Sequence, residues 1–187
     1  MHRTLFVGMA ALALAGCQSA AEKHAAQTGE VDVANVSVDE LSKVLNAARA
    51  KTELEPGIWD SRMHVVSSDL TAFKGEDRAA QEDAILRQER QSQSCRKADE
   101  LKPLDIRNLE QVAGDCSVSR YVFKNGQLDA NIQCKKDGGS VTTVLASGTM
   151  TKTAFDVTIA QETGKPGESD YVAIKLQATG KRIGSCG

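Results

Sequence analysis

Apolar residues return at every second position in three separate stretches of the chain: Leu128, Ala130, Ile132 and Cys134; Phe155, Val157 and Ile159; and Val172, Ile174, Leu176 and Ala178. A period of two predicts strands with one face buried and one face wet. Val141–Met150 alternates more weakly through Val144, Ala146 and Gly148. Turn signals divide the runs at Asn125-Gly126, Gly138-Gly139 and Pro166-Gly167. Strands so spaced predict an antiparallel meander, curved or closing part-way to a barrel.

Cysteine positions sharpen one hairpin. With Lys124-Asn125-Gly126 as a three-residue loop, Val122 faces Leu128, Arg120 faces Ala130, Val118 faces Ile132 and Cys116 faces Cys134. Ser117, Ser119 and Tyr121 then share the wet face with Gln133, Asn131 and Asp129. A two-residue loop would place Val118 against Gln133 and Val122 against Asp129, so the longer loop is expected. The register brings the Cys116 and Cys134 thiols together. Cys95 and Cys186 are left as the second pair, although connectivity is not fixed by sequence and the other two pairings stay open. In the chain-entropy account such bridges contribute about 3 and about 4.5 kcal/mol, the longer loop giving more.

Helical periodicity appears once with clear caps. Ser37-Val38-Asp39-Glu40 forms a capping box, Val36 and Leu41 suit a hydrophobic staple, and Leu41, Val44, Leu45 and Ala48 make a stripe. A helix over 37–52 is expected, packing on its own domain or presenting the stripe to a partner. Pro56-Gly57 ends that region, and Ile58–Leu70 reads as a strand whose alternation breaks at Val65-Val66. Residues 76–92 are helix-prone and charged, predicting a solvated helix that leads to Cys95. Residues 18–36 are rich in Ala, Gln, Glu and Thr without periodicity, and read as a flexible tether.

The first sixteen residues stand apart. A basic Met1-His2-Arg3, an apolar run from Leu5 to Ala15 and the ending Leu14-Ala15-Gly16-Cys17 form a lipoprotein signal peptide. The run is too short to span a bilayer. Residues 1–16 are expected to be removed and Cys17 acylated with palmitate-type chains, each buried methylene adding ~0.8 kcal/mol of anchoring. Gln18, rather than Asp, follows the cysteine, which resembles the outer-membrane sorting pattern. The disulfide-bonded, β-rich domain then spans 54–187.

Composition removes some function classes. The 187 residues carry 23 Lys and Arg against 25 Asp and Glu, a formal charge of −2. Losing the leader removes only Arg3. A mildly acidic chain without a basic stripe has no electrostatic footprint for nucleic acid. After export the four remaining cysteines meet an oxidising compartment, where disulfides are the default. Zinc competes poorly: no Cys-x-x-Cys pair exists, and His24 and His64 lack ligand spacing. No cofactor is expected.

Pro56-Gly57-Ile58-Trp59, the four later cysteines, Gly114-Asp115-Cys116 and the closing Gly180-Lys181-Arg182-Ile183-Gly184-Ser185-Cys186 resemble the family known as domain of unknown function 3617. These are small exported proteobacterial proteins, many of them lipoproteins. The resemblance covers roughly residues 54–187, and the closing motif is its most specific part. Ser185 stands where an Asp is expected, and the capped helix is additional. The resemblance implies export, disulfides and a β-rich fold, and no chemistry.

His64 is the lone His of the domain, with no Ser or Cys nucleophile motif beside it. Lys181-Arg182 offers two cations to an anion or to water. Three readings follow. The first is a non-catalytic envelope module that meets a protein partner through exposed strand edges. The second is a β-module holding a small apolar ligand. Third comes an enzyme using carboxylates that the sequence does not reveal. The first is the expectation.

Overall fold

The computed structural model describes residues 18–97, 114–136 and 139–187. The elements run α1 (Ala20–Thr28), β1 (Val31–Ser37), α2 (Val38–Thr52), β2 (Gly57–Asp69), α3 (Gly75–Leu86), β3 (Arg90–Arg96), β4 (Asp115–Lys124), β5 (Gln127–Lys135), β6 (Val141–Met150), β7 (Ala154–Thr163) and β8 (Val172–Gly184). The fold is mainly β, as the alternation predicts. Among the described residues, eight strands form one open, curved antiparallel sheet in the order β1-β4-β5-β6-β7-β8-β2-β3. β4 to β8 are the expected meander. β1 extends it at one edge, and β2 with β3 extends it at the other.

Cross-strand partners share a face, which defines an inner row through Ile132, Val144 and Gln161 and another through Ala130, Ala146 and Ile159. On the β4–β6 side α1 and α2 cover this inner face. Leu41, Val44 and Ala48 of α2 are buried with Val118, Leu128, Ile132 and Val144. The α2 stripe therefore packs within its own domain. Burying each large aliphatic side chain contributes about 1.5–3 kcal/mol. The capping box is formed: the Ser37 hydroxyl accepts from the Glu40 backbone N–H, and the Glu40 carboxylate accepts from that of Ser37. The backbone N–H of Ser37, then its hydroxyl, holds the Glu40 carboxyl below the usual carboxylate range.

Residues 18–36 do not form the expected tether. Ser19 caps α1, Ala25 is fully buried, and β1 pairs with β4 from Val31↔Phe123 to Ser37↔Ser117. The apolar signal was small: β1 buries Val31 and Val33 and half-buries Val36, and α1 buries a single alanine. Tertiary packing holds a segment whose own composition favours disorder.

Residues 76–92 divide. The helix stops at Leu86 and β3 begins at Arg90. β3 lies at a sheet edge with nearly every residue exposed, so it needs no apolar alternation and shows none. In β2 the broken alternation has a cause, an irregularity between Val65 and Ser67 that turns Val66 outward.

The β4–β5 hairpin corrects the expected loop. Lys124 pairs with Gln127 across a two-residue turn, with Asn125 at φ 51° and Gly126 at φ 74°. Both residues are left-handed, which suits the twist of a hairpin and the Asn-Gly pair. A β-bulge between Val118 and Arg120 then restores the predicted register, so Val118 faces Ile132 and Cys116 faces Cys134. The cysteine end of the hairpin is as expected, and the turn end is displaced by one residue. Tyr121, expected on the wet face, instead pairs with Ala130 in the core.

That placement has a measurable consequence. Desolvation pushes the Tyr121 phenol up to about 12. The neutral phenol is favoured in the folded chain, so its stability contribution is complete below pH 10 and is lost as pH rises toward 12. Urea unfolding should show a decline on the order of 2–3 kcal/mol across that window, by 1.36 kcal/mol per unit. Tyr121→Phe should remove most of this decline. Equal alkaline declines in both proteins would place the phenol in water.

Candidate functional site

The two motifs singled out by sequence lie side by side in β2 and β8. Ile58 pairs with Gly184, Trp59 with Arg182, Asp60 with Lys181 and Ser61 with Gly180. The Arg182 Nε–H donates to the Pro56 carbonyl oxygen at 2.8 Å. A Cβ on Gly57 would come within 2.4 Å of the Gly184 carbonyl oxygen, so only glycine allows this approach. Trp59 is 1 % exposed, donates from Nε1 to the Glu55 carbonyl oxygen at 2.9 Å and stacks on Phe155 with ring centroids 6.0 Å apart.

Phe155 faces Gly180 across β7 and β8, and its ring fills the space that a side chain at 180 would occupy. A Cβ there would lie 2.2 Å from the ring. Gly180→Ala should therefore cost about 1–3 kcal/mol through overpacking and disturb the Trp59 emission. In a Phe155→Leu background the same change should cost less, as a double-mutant cycle would show. An unchanged cost would mean that the ring is not what excludes the side chain.

Both expected disulfides are present. Cys116–Cys134 closes the β4–β5 hairpin with Cα atoms 3.9 Å apart. Cys95–Cys186 joins β3 to the segment after β8, with Cα atoms 5.5 Å apart. Since β2 lies between β3 and β8, and Ile58 pairs with both Cys95 and Gly184, this bridge closes over the start of β2. Cys17 lies outside the described residues.

The remaining candidates have structural surroundings. Exposed His64 places Nδ1 2.9 Å from the Glu89 carboxylate, and Glu89 also accepts from the Val65 backbone N–H. His24 lies 4.0 Å from Glu30. Among the described residues no group of three His, Cys, Asp or Glu side chains could hold a metal ion, and no helix is long and apolar enough to cross a membrane.

Two features have the character of binding surfaces. One is the outer edge of β3, which among the described residues pairs only with β2 and carries Arg90, Gln91, Ser92, Gln93 and Ser94 exposed to solvent. The other is the inner face of β7, β8 and β2. There Ile159, Leu176 and Val65 form one row, and Val157, Ala178 and Met63 form the next. Leu176 and Val157 are buried, while Ile159, Val65, Met63 and Ala178 are half-buried. Three strands and two such rows make an apolar patch on the order of 10 Å by 7 Å from strand spacings.

The sequence profile described as Protein of unknown function (DUF3617) matches residues 54–186. The chain belongs to the DUF3617 family. No curated protein and no solved structure matches it. Within the DUF3617 segment, Pro56, Gly57, Trp59, Gly180, Arg182, Gly184 and Cys186 hold β2, β8 and β3 together. The match begins after α2, whereas the packed fold begins at α1. Sequence reasoning missed the β3 edge, because a strand wet on both faces carries no hydrophobic period. It also left Arg182 to an anion or to water; the only local hint was its place between Gly180 and Gly184.

Proposed function

We propose that the mature chain is an outer-membrane lipoprotein anchored through Cys17, whose sheet serves the cell envelope as a non-catalytic structural and interaction module. The observation that carries the interaction role is the β3 edge. Among the described residues its seven residues of extended backbone pair with β2 alone, and an unpaired edge is a template for a strand from a partner. The lipoprotein role is supported by the leader, the Leu14-Ala15-Gly16-Cys17 ending and the two disulfides, which fit an oxidising compartment.

In-cell photo-crosslinking tests the edge. A photoreactive residue at Gln93 should give one discrete protein adduct, and the same residue at Glu162, exposed on β7, should not. Matching patterns at both positions would overturn edge docking. Cys17→Ala should move the protein from the membrane to the soluble periplasmic fraction; retention in the membrane would refute the anchor.

The half-buried rows on β7, β8 and β2 favour a second reading, a module that binds a small apolar ligand. Native mass spectrometry of a Cys17→Ser chain, purified gently from the periplasm, separates the two. A reproducible non-protein adduct lost on denaturation supports the ligand, and a bare doubly oxidised chain supports the interaction module.

A further inference from the structure

We infer that the fold sits directly on the lipid headgroups, with the surface around the start of α1 held against the bilayer. This inference rests on the lipoprotein reading above. Its observation is the distance in sequence between the anchor and the first packed element. Only Gln18 and Ser19 separate Cys17 from Ala20, where α1 begins. Three Cα steps span at most about 11 Å when fully extended. The headgroup layer on one side of a bilayer is itself roughly 5–8 Å thick. Almost none of the possible tether remains for separating the fold from the membrane.

The start of α1 is also capped, and its first turn packs on the core through Ala21. The Ser19 hydroxyl accepts from the Glu22 backbone N–H at 3.2 Å and donates to the Glu22 carboxylate at 3.0 Å. The Ser19 carbonyl oxygen accepts from the Lys23 backbone N–H at 3.1 Å. One turn later Ala25 is completely buried in the core, and the helix ends at Gly29, packed against Lys51 of α2. Unwinding α1 to lengthen the tether would empty the Ala25 site and break this cap. The anchor is therefore coupled to the sheet, and the domain keeps a restricted orientation at the surface. A partner is met beside the membrane, because the fold has no reach across the periplasm.

The full-length lipidated protein tests this in vesicles of phosphatidylethanolamine and phosphatidylglycerol that contain a headgroup-nitroxide lipid. A fluorophore is attached at Lys23→Cys, which is exposed on α1, and in a separate protein at Ala84→Cys, exposed on α3. The Lys23 label should be strongly quenched and the Ala84 label weakly. A ten-residue Gly-Ser insertion between Gln18 and Ser19 has an r.m.s. length of roughly 18 Å and should cut quenching at Lys23 by about twofold or more. Trp59 emission confirms that each variant is folded. Equal quenching at Lys23 with and without the insertion would overturn the close seating while leaving the anchor intact. A mature N-terminal peptide without acyl mass would overturn both the seating and the lipoprotein reading.

Discussion

Deleting residues 18–52 while keeping the whole family segment is expected to unfold the sheet, not to yield a smaller stable domain. The deletion removes Val31, Val33, Val38, Leu41 and Val44, all buried in the main core. At about 1.5–3 kcal/mol for each buried side chain the loss reaches roughly 10 kcal/mol. Total stabilities run about 5–15 kcal/mol. The deletion also uncovers Val118, Leu128 and Ile132 and turns β4 into a bare edge, an invitation to aggregate. Thermal melting by circular dichroism and size-exclusion chromatography of residues 53–187 check this. The expected result is no cooperative transition and a broad aggregate peak. A monomer with a sharp melt would show that the sheet holds without its helices. Leu41→Ala is the milder form of the experiment, costing about 2–5 kcal/mol by cavity formation.

The limits of sequence reasoning follow the same division of the fold. β5, β7 and β8 were legible because a sheet with one covered face forces a period of two onto its strands. The helix α2 was legible because its cap and stripe are local. The pairing of Cys116 with Cys134 was legible because the register of one short hairpin sets the two thiols opposite each other. β1 and β3 were hidden for opposite reasons. β1 buries just Val31 and Val33 and depends on α1 and β4 for its shape. β3 buries nothing and is held by β2 and by Cys95. The bulge between Val118 and Arg120 could not be read from the chain, because a single register was expected along the whole hairpin, whereas the strands follow the three-residue-loop register from Asp115 to Val118 and the two-residue-loop register from Arg120 to Lys124. The signature motifs were visible as residues but not as a contact. Their pairing joins residues over a hundred positions apart, and no local rule encodes it.

Mild reductant is expected to open Cys95–Cys186 before Cys116–Cys134, and the first loss should cost the larger share of stability. Exchange needs access to a sulfur. Cys95 and Cys186 are both exposed, whereas Cys134 is completely buried and Cys116 half-buried beneath the hairpin. The exposed bridge also closes the longer loop, 91 residues against 18. In the chain-entropy account that difference corresponds to about 4.5 against about 3 kcal/mol. Two measurements separate access from energy. Timed alkylation after graded reductant, mapped by mass spectrometry, should label Cys95 and Cys186 first; early labelling of Cys116 and Cys134 would contradict the burial argument. Urea midpoints should fall further for Cys95→Ser with Cys186→Ser than for Cys116→Ala with Cys134→Ala. The reverse order would mean that packing around Cys134 outweighs loop entropy. Opening the outer bridge also releases β3 from the end of β8, leaving its pairing with β2 to hold the edge. The Gln93 crosslink should therefore weaken in the Cys95→Ser, Cys186→Ser chain even at a urea-free temperature well below its melting point. A crosslink of unchanged yield would show that the partner reads the strand without needing the bridge that fixes it.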